Sequence, residues 1–361
     1  MANNFLQDAK NKKNDEFYTQ FNDIQNEINA YIEYDKNVFR DKVILLPCDD
    51  PEWSNFTRVF VLNFEEYGIK KLISTSFANE SKNVNWEWTP TLFETSDPQY
   101  DIKKTKCKGK IFTLDRNENS TEPVSIDNLK WKYLEGTGDF RSEEVKQLRD
   151  EADIIITNPP FSLFREFLSW IIEGKKDFLI LGSQNAITYK EVFPLIKENK
   201  IWLGHALSYI AFKVPPYYEE KSTRFWIDKT GQKWRSMGNI CWFTNIEHGN
   251  RHIALELMET KDLIRHSKHK EIRNVGYQHY DNYNAIEVPY VDSIPSDYDG
   301  VMGVPITFLD KYCPDQFEIL GASESEGKGF SNGLWDSSSK VSQPLVNGEK
   351  VYKRIFIRKR K

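Results

Sequence analysis

Short apolar runs separated by stretches of helical period restrict this chain to few architectures. Residues 43–46, 71–76, 153–157 and 178–182 are hydrophobic without the alternation of a half-exposed strand, which is the pattern of strands covered on both faces. Between the first two lies 56–67, an aromatic-rich stretch of helical spacing that follows Ser54-Asn55 and is closed by Gly68. Residues 142–151, 162–173 and 189–198 carry helical patterns around the third and fourth runs. This alternation predicts an α/β chain on a mostly parallel, doubly wound, Rossmann-like sheet. Ahead of it, Phe17, Tyr18, Phe21, Ile24, Ile28 and Ile32 are spaced as one face of an amphipathic helix over 15–35.

The rhythm breaks twice. Over about 78–137, Pro90, Pro98, Pro123 and a lysine-rich bridge into Lys110-Ile111-Phe112-Thr113-Leu114 interrupt it, and a β-hairpin insertion is expected there. From 201 onward, short aromatic strands at 201–203, 223–227 and 240–243 are separated by Pro215-Pro216 and Thr230-Gly231, which reads as antiparallel structure. Past about 250, Tyr, Asn, Asp, Pro and Gly dominate, and no strong helical period follows Ile264. The expected organisation is a main domain over 1–250, carrying the insertion, and a smaller α+β or irregular module over 251–361. The Ser/Gly-rich stretch 323–339 reads as a loop of that module.

Composition narrows the class further. With 361 residues, 39% hydrophobic and 14% aromatic, the chain can bury a large core. No apolar run approaches the roughly 20 residues of a bilayer span, and the polar start Met1-Ala2-Asn3-Asn4 has no signal-peptide stretch, so a cytoplasmic protein without membrane contact is expected. Cys48, Cys107, Cys241 and Cys313 show no C-x-x-C pairing, so neither a disulfide framework nor a metal site is indicated. A formal charge of −5 does not suggest a polyanion ligand, yet five lysines and no acid lie between Lys103 and Lys110, and the last nine residues carry six basic ones. Such runs serve equally as phosphate-binding patches or as solvated loops and tails.

Asn158-Pro159-Pro160-Phe161 stands directly after the third apolar run, at the carboxyl edge of a parallel strand, where ligands bind in open α/β sheets. Two prolines fix the backbone and remove two donors, leaving the Asn158 side-chain oxygen and the Pro159 carbonyl as outward acceptors. An amino group on an aromatic ring requires that arrangement, because its lone pair is delocalised until two acceptors take its N–H groups. Attack on a sulfonium methyl can then proceed in line without a strong base. Phe161 offers a face for a base extruded from a duplex, a contact worth roughly 1–3 kcal/mol. Asn and Pro are also leading turn residues, so a plain turn is the competing reading.

These residues, with Gly138-Asp139-Phe140-Arg141-Ser142 before them and Ser162-Leu163-Phe164-Arg165 after, resemble the EcoRI-type adenine-specific DNA methyltransferases. The likeness continues in Asp15-Glu16-Phe17-Tyr18-Thr19-Gln20, in Cys48-Asp49-Asp50-Pro51 with Ser54-Asn55-Phe56, and at the carboxyl end from Asn347-Gly348 to Arg358. The resemblance implies an S-adenosyl-L-methionine cofactor, with Tyr18 and Thr19 at its methionine end and Asp49 and Asp50 facing its ammonium or sulfonium. It further implies that Ser54 and Asn55 line the first cofactor loop, that Asp139 accepts from the cofactor's adenine amino group and that Phe140 packs on that ring. Two departures stand out. The first loop lacks Gly-x-Gly, and the second strand ends in Ser74-Thr75-Ser76 where an acid commonly holds a ribose, which leaves Ser76 and Glu80 as ribose candidates. Gly136-Thr137-Gly138 has no third glycine in register and is not read as a nucleotide loop.

The resemblance makes double-stranded DNA the partner, with the target adenine extruded to reach Asn158. Phosphate contacts are expected from Lys103, Lys104, Lys106, Lys108 and Lys110, from Lys268, Lys270 and Arg273, and from Arg354, Arg358 and Arg360. Tyr277, Tyr280 and Tyr283, interleaved with His279, Asn282 and Asn284, are candidates for reading bases or filling the gap, or else for loop packing. A restriction endonuclease acting on the same site without a stable complex is the further expected partner. Competing readings are transfer to RNA adenine or protein glutamine, disfavoured by Phe161 in place of Tyr and by the long carboxyl module, and a non-catalytic DNA-binding protein. A nuclease built on Glu144-x-Lys146 is disfavoured because that triplet falls in a helical pattern.

Overall fold

The computed structural model describes residues 19–52, 54–78, 100–116, 130–206, 210–214, 218–323 and 343–360. The chain divides into two compact units: 1–184 with 206–246, and 185–205 with 247–361. The excursion over 185–205 has no counterpart in the linear division read from the sequence.

In the first unit, β1 (Val43–Leu46), β2 (Lys71–Thr75), β3 (Lys110–Asp115), β4 (Trp131–Tyr133), β5 (Ile154–Thr157) and β6 (Asp177–Ser183) belong to one mixed sheet. β1 and β5 are buried along their whole length, which is why they read as unbroken apolar runs. β2, β1, β5 and β6 run parallel in that order, with Ile44 paired to Leu72 on one side and to Ile154 on the other. β3 pairs antiparallel with β2, and β4 pairs antiparallel with β3, extending the sheet beyond β2. The lysine-rich approach to β3 is a short helix, Ile102–Cys107, whose first amides bond to the side chain of Asp101.

After β7 (Trp202–Leu203), which falls in the second unit, the chain returns to the first as β8 (Ile210–Lys213), β9 (Phe225–Ile227), β10 (Lys233–Met237) and β11 (Ile240–Thr244). β8, β10 and β9 form a separate three-stranded antiparallel sheet. β11 does not join them as the sequence suggested, but pairs antiparallel with β6 in the main sheet. Its five buried residues need two covered faces, and the main sheet supplies them. The helix Phe21–Tyr34 buries Ile24, Ile28 and Tyr31, and the helix Asn55–Leu62 buries Phe56, Val59 and Phe60, all in one core with Leu46, Ile156 and Trp242.

The helix expected over 189–198 in the second unit contracts to Phe193–Lys197, with Pro194 in its first turn, where the missing N–H has no intrahelical partner to lose. The region past 250 is an α+β arrangement. β12 (Ile286–Glu287), β13 (Met302–Pro305), β14 (Phe317–Ala322) and, after the small hairpin of β15 (Leu345–Val346) and β16 (Glu349–Lys350), β17 (Arg354–Lys359) contribute a sheet of order β12-β13-β17-β14. Two short helices, Thr260–His266 and Lys270–Val275, precede it where no strong period was read beyond Ile264. The basic carboxyl end is therefore no solvated tail. Ile355, Phe356 and Ile357 are fully buried at its centre, which draws the flanking basic residues into a central strand. Among the described residues no helix is long and apolar enough to cross a membrane.

Candidate functional site

From β1 the chain moves to β2 on one side, and β5 later arrives on the other side of β1. The order reverses there, the kind of position at which ligands bind in open α/β sheets. The loop after β1 carries Asp49 and that after β5 carries Asn158. Thr157, the last residue of β5, donates from Oγ1 to Asp49 Oδ2 at 2.6 Å. Ser54 Oγ donates to the other carboxylate oxygen at 2.7 Å, and Ser74 Oγ donates to the Asp49 carbonyl at 2.5 Å. Asp49 is only 5% exposed, and burial pushes its carboxyl up to about 7; the hydroxyls of Thr157 and Ser54 oppose that shift and the charge of Asp50 adds to it.

The rest of the site is built by equally local means. Ser54 caps the helix Asn55–Leu62 by accepting from the amide of Phe56, so the same hydroxyl orients Asp49 and starts the helix. Asn55 Nδ2 donates to the Thr19 carbonyl at 2.8 Å, and Asn158 Nδ2 donates to Thr19 Oγ1 at 3.3 Å. Thr19 thus touches both Asn55 and Asn158; Tyr18 and Glu80 lie outside the described residues. Phe161 opens a 3-10 turn, and its ring meets Phe212 of β8 edge to face at 6.4 Å.

Asp139 and Phe140 sit at the entrance to the helix Glu143–Glu151. Arg141 clamps the Asp139 carboxylate through its amide, Nε and Nη2 at 2.9, 2.9 and 2.7 Å, and holds it below the usual carboxylate range. Phe140 is buried against Phe167 and Trp170 at 5.1 and 5.7 Å, with the Arg141 guanidinium 5.3 Å from its ring. Gly138 just before them has φ +79 and lies so close to the Ser76 carbonyl that a Cβ would stand 2.1 Å from it. The glycine is thus required by backbone packing. Ser76 Oγ accepts from the Lys110 amide. Glu144 accepts from the amides of Glu135 and Gly136.

Several residues expected on DNA are placed elsewhere. Lys110 is buried, ion-paired with Glu52, 4.0 Å from Asp50 and 4.7 Å above the ring of Trp131. It anchors the loop after β1 and does not contact solvent phosphate. Arg354 is 8% exposed and bonds to Glu287 through Nε and Nη2, so it is internal. Tyr280 and Tyr283 are buried on Phe356, with hydroxyls committed to Glu287 and to the Ser323 carbonyl, so the packing reading holds for them. Tyr277 donates to the Ser293 carbonyl. Arg358 pairs with Glu318, Arg360 donates to the Pro314 carbonyl, Lys108 pairs with Glu135 and Lys268 with Asp292, while Lys104, Lys106, Lys270 and Arg273 are exposed on short helices. Sequence reasoning missed Thr157, Glu52 and Arg141. Thr157 alone left a signal, a hydroxyl ending a strand that is otherwise aliphatic.

A large mixed sheet places a buried carboxylate after β1 and an Asn-Pro-Pro loop after the neighbouring β5, in a mixed α/β chain. The chain belongs to the family of the adenine-specific EcoRI methyltransferase, whose model matches residues 5–360. It is 40% identical to the type II methyltransferase M.EcoRI of Escherichia coli, over all of this chain and 98% of that one. It is 32% identical to M.MgeORF184P of Mycoplasma genitalium over 97% of each, and 34% identical to M.MpnI of Mycoplasma pneumoniae over 86% of this chain and 83% of the other, both also type II methyltransferases. The chain is thus an adenine-specific DNA methyltransferase that draws on a methyl donor. No solved structure matches it.

Proposed function

We propose that the protein transfers a methyl group from S-adenosyl-L-methionine to the N6 amino group of an adenine extruded from double-stranded DNA, on a Rossmann-like sheet into which the β3–β4 region is inserted. The observation that carries this reading is the Thr157–Asp49 hydrogen bond, which ties the strand end just before the acceptor loop to the acidic loop. The donor set fits the cofactor: a buried carboxylate suits a cationic sulfonium and ammonium, Thr19 and Asn55 stand beside it, and the capped amino terminus of Asn55–Leu62 suits a carboxylate. Asp139 at the next loop suits the adenine amino group, with Phe140 beside it. When bound, the cofactor supplies a methyl on a cationic sulfur leaving group.

Asn158 and Pro159 perform the activation. Donation from Asn158 Nδ2 to Thr19 assigns the amide nitrogen to that side and turns Oδ1 to the other, where it accepts one N6 proton while the Pro159 carbonyl accepts the second. The nitrogen lone pair would thereby be released from the ring and directed at the methyl that the bound cofactor would supply, with the surplus N6 proton leaving to water. Phe161, braced by Phe212, stacks on the extruded base. Phosphate contacts come from the exposed Lys104 and Lys106 and from Lys268, Lys270 and Arg273. Such modification suits a restriction–modification role in the cytoplasm, with a cognate endonuclease reading the same site independently. Labelled methyl transfer to duplex DNA, RNA and protein tests the reading. Asn158→Ala is expected to lower transfer about 10²–10³-fold, by analogy with removal of one polar group that stabilises a transition state, with cofactor and DNA binding retained. Transfer to RNA or protein but not to DNA would overturn it.

A further inference from the structure

The sheet β8-β10-β9 presents a row of side chains that catalysis does not use. Trp234 of β10 is registered between Lys213 of β8 and Trp226 of β9, so these three residues share one face of the sheet. The two indoles lie parallel, 1° apart in plane and 6.0 Å between centroids, and the Lys213 ammonium sits 5.6 Å from the Trp234 ring. Lys213 is exposed and Trp226 is 38% exposed. The polar edge of Trp234 is satisfied internally, its Nε1 donating to Asp228 at 2.8 Å, which fixes that ring in place. The opposite face carries Phe212, fully buried and in edge contact with Phe161 of the acceptor loop. One thin sheet therefore braces the catalytic loop on its inner side and shows a cationic, aromatic row on its outer side.

We propose that this outer row is a DNA-contact surface, in which Trp226 stacks on a base next to the extruded adenine and Lys213 takes a neighbouring phosphate. The inference rests on the DNA reading above and adds a site to it. Charge selects the occupant: residues 210–237 carry six basic and three acidic residues within a chain whose overall charge is −5. Chemistry agrees with charge. Parallel indole planes beside an ammonium offer a π-face and a phosphate partner together, the combination by which proteins hold unstacked bases without reading their sequence. Continuity with Phe161 places the row in the same unit as the acceptor loop, where DNA must come for the target adenine to enter.

The test measures binding of fluorescently labelled duplex fragments, cut from unmethylated plasmid DNA, to the full chain and to Trp226→Ala, Trp226→Phe and Lys213→Gln, alongside cofactor affinity and methyl transfer. Trp226→Ala is expected to weaken DNA binding about 10-fold, with Trp226→Phe recovering most of the loss and cofactor affinity unchanged. Lys213→Gln is expected to weaken binding about threefold and to lower the salt slope by about 1. If Trp226→Ala loses its folded circular dichroism, Trp226→Phe and Lys213→Gln decide the matter. Variants that bind DNA as the unaltered chain does would overturn the surface and leave the methyl-transfer reading standing. An unaltered chain that methylates no DNA, yet binds it through Trp226, would overturn that reading and leave the surface standing.

Discussion

Asp49 in the first unit and Glu287 in the second are both carboxylates withdrawn from water, and they are treated in opposite ways. Glu287 is closed: Arg354 reaches both of its oxygens, Tyr280 donates to it, and Arg354 Nη1 donates to the Tyr352 and Lys353 carbonyls. Asp49 has two hydroxyl donors and, among the described residues, no paired cation, so its carboxyl is pushed up to about 7. A buried charge with its counter-ion inside the protein serves the fold. One whose counter-ion must come from outside is poised for a cationic ligand.

The contrast is broken most forcefully by removing the internal cation. Arg354→Met should leave Glu287 buried and unpaired, at a cost of about 3–5 kcal/mol in denaturant unfolding. Adding Glu287→Gln to Arg354→Met should return part of that loss, because the orphaned charge is gone. A single variant as stable as the parent would show that the pair is not closed to water.

The Asp49 site should respond to pH. Because the folded Asp49 carboxyl is raised, its contribution to stability is full below the unfolded value near 3.8 and is lost as pH rises through about 7. A cationic cofactor prefers the ionised form, so cofactor affinity should rise with pH, by up to about tenfold per unit below 7, and level off above it. Calorimetric titration from pH 5.5 to 8.5 measures this, and Asp49→Asn should flatten the profile. A profile unchanged in that variant would remove Asp49 from the cofactor site.

The smallest change sharpens the comparison. Thr157→Val removes one donor from the Asp49 carboxylate and should cost about 1–2 kcal/mol of stability. It should also move the midpoint of the cofactor pH profile upward, because a hydroxyl that favours the charged form has gone. A stability loss without a shifted midpoint would make Thr157 a packing residue only.

Much of the first unit was legible before any coordinates. β1, β2, β5 and β6 stand within a residue or two of the apolar runs, and Asn158 follows β5 as the motif required. The second unit was less so, because β12, β15 and β16 are two-residue strands that carry no readable period. The basic residues misled most. Lys110 meets Glu52 across 58 residues and Arg354 meets Glu287 across 67, separations at which no local pattern distinguishes an anchor from a phosphate clamp.

The sequence by itself determined the α/β rhythm, the acceptor loop after a buried strand and the acidic pair after another, since each is a matter of periodicity or of neighbouring residues. Only the tertiary structure decided that those two loops follow neighbouring strands, with Thr157 bonded to Asp49, and which cations stay outside the protein. The physical reason is that a side chain's solvation and charge are set by whatever the fold brings beside it. In this chain β1 acquires β5 as its neighbour after more than a hundred intervening residues, and the Thr157–Asp49 bond joins positions 108 apart.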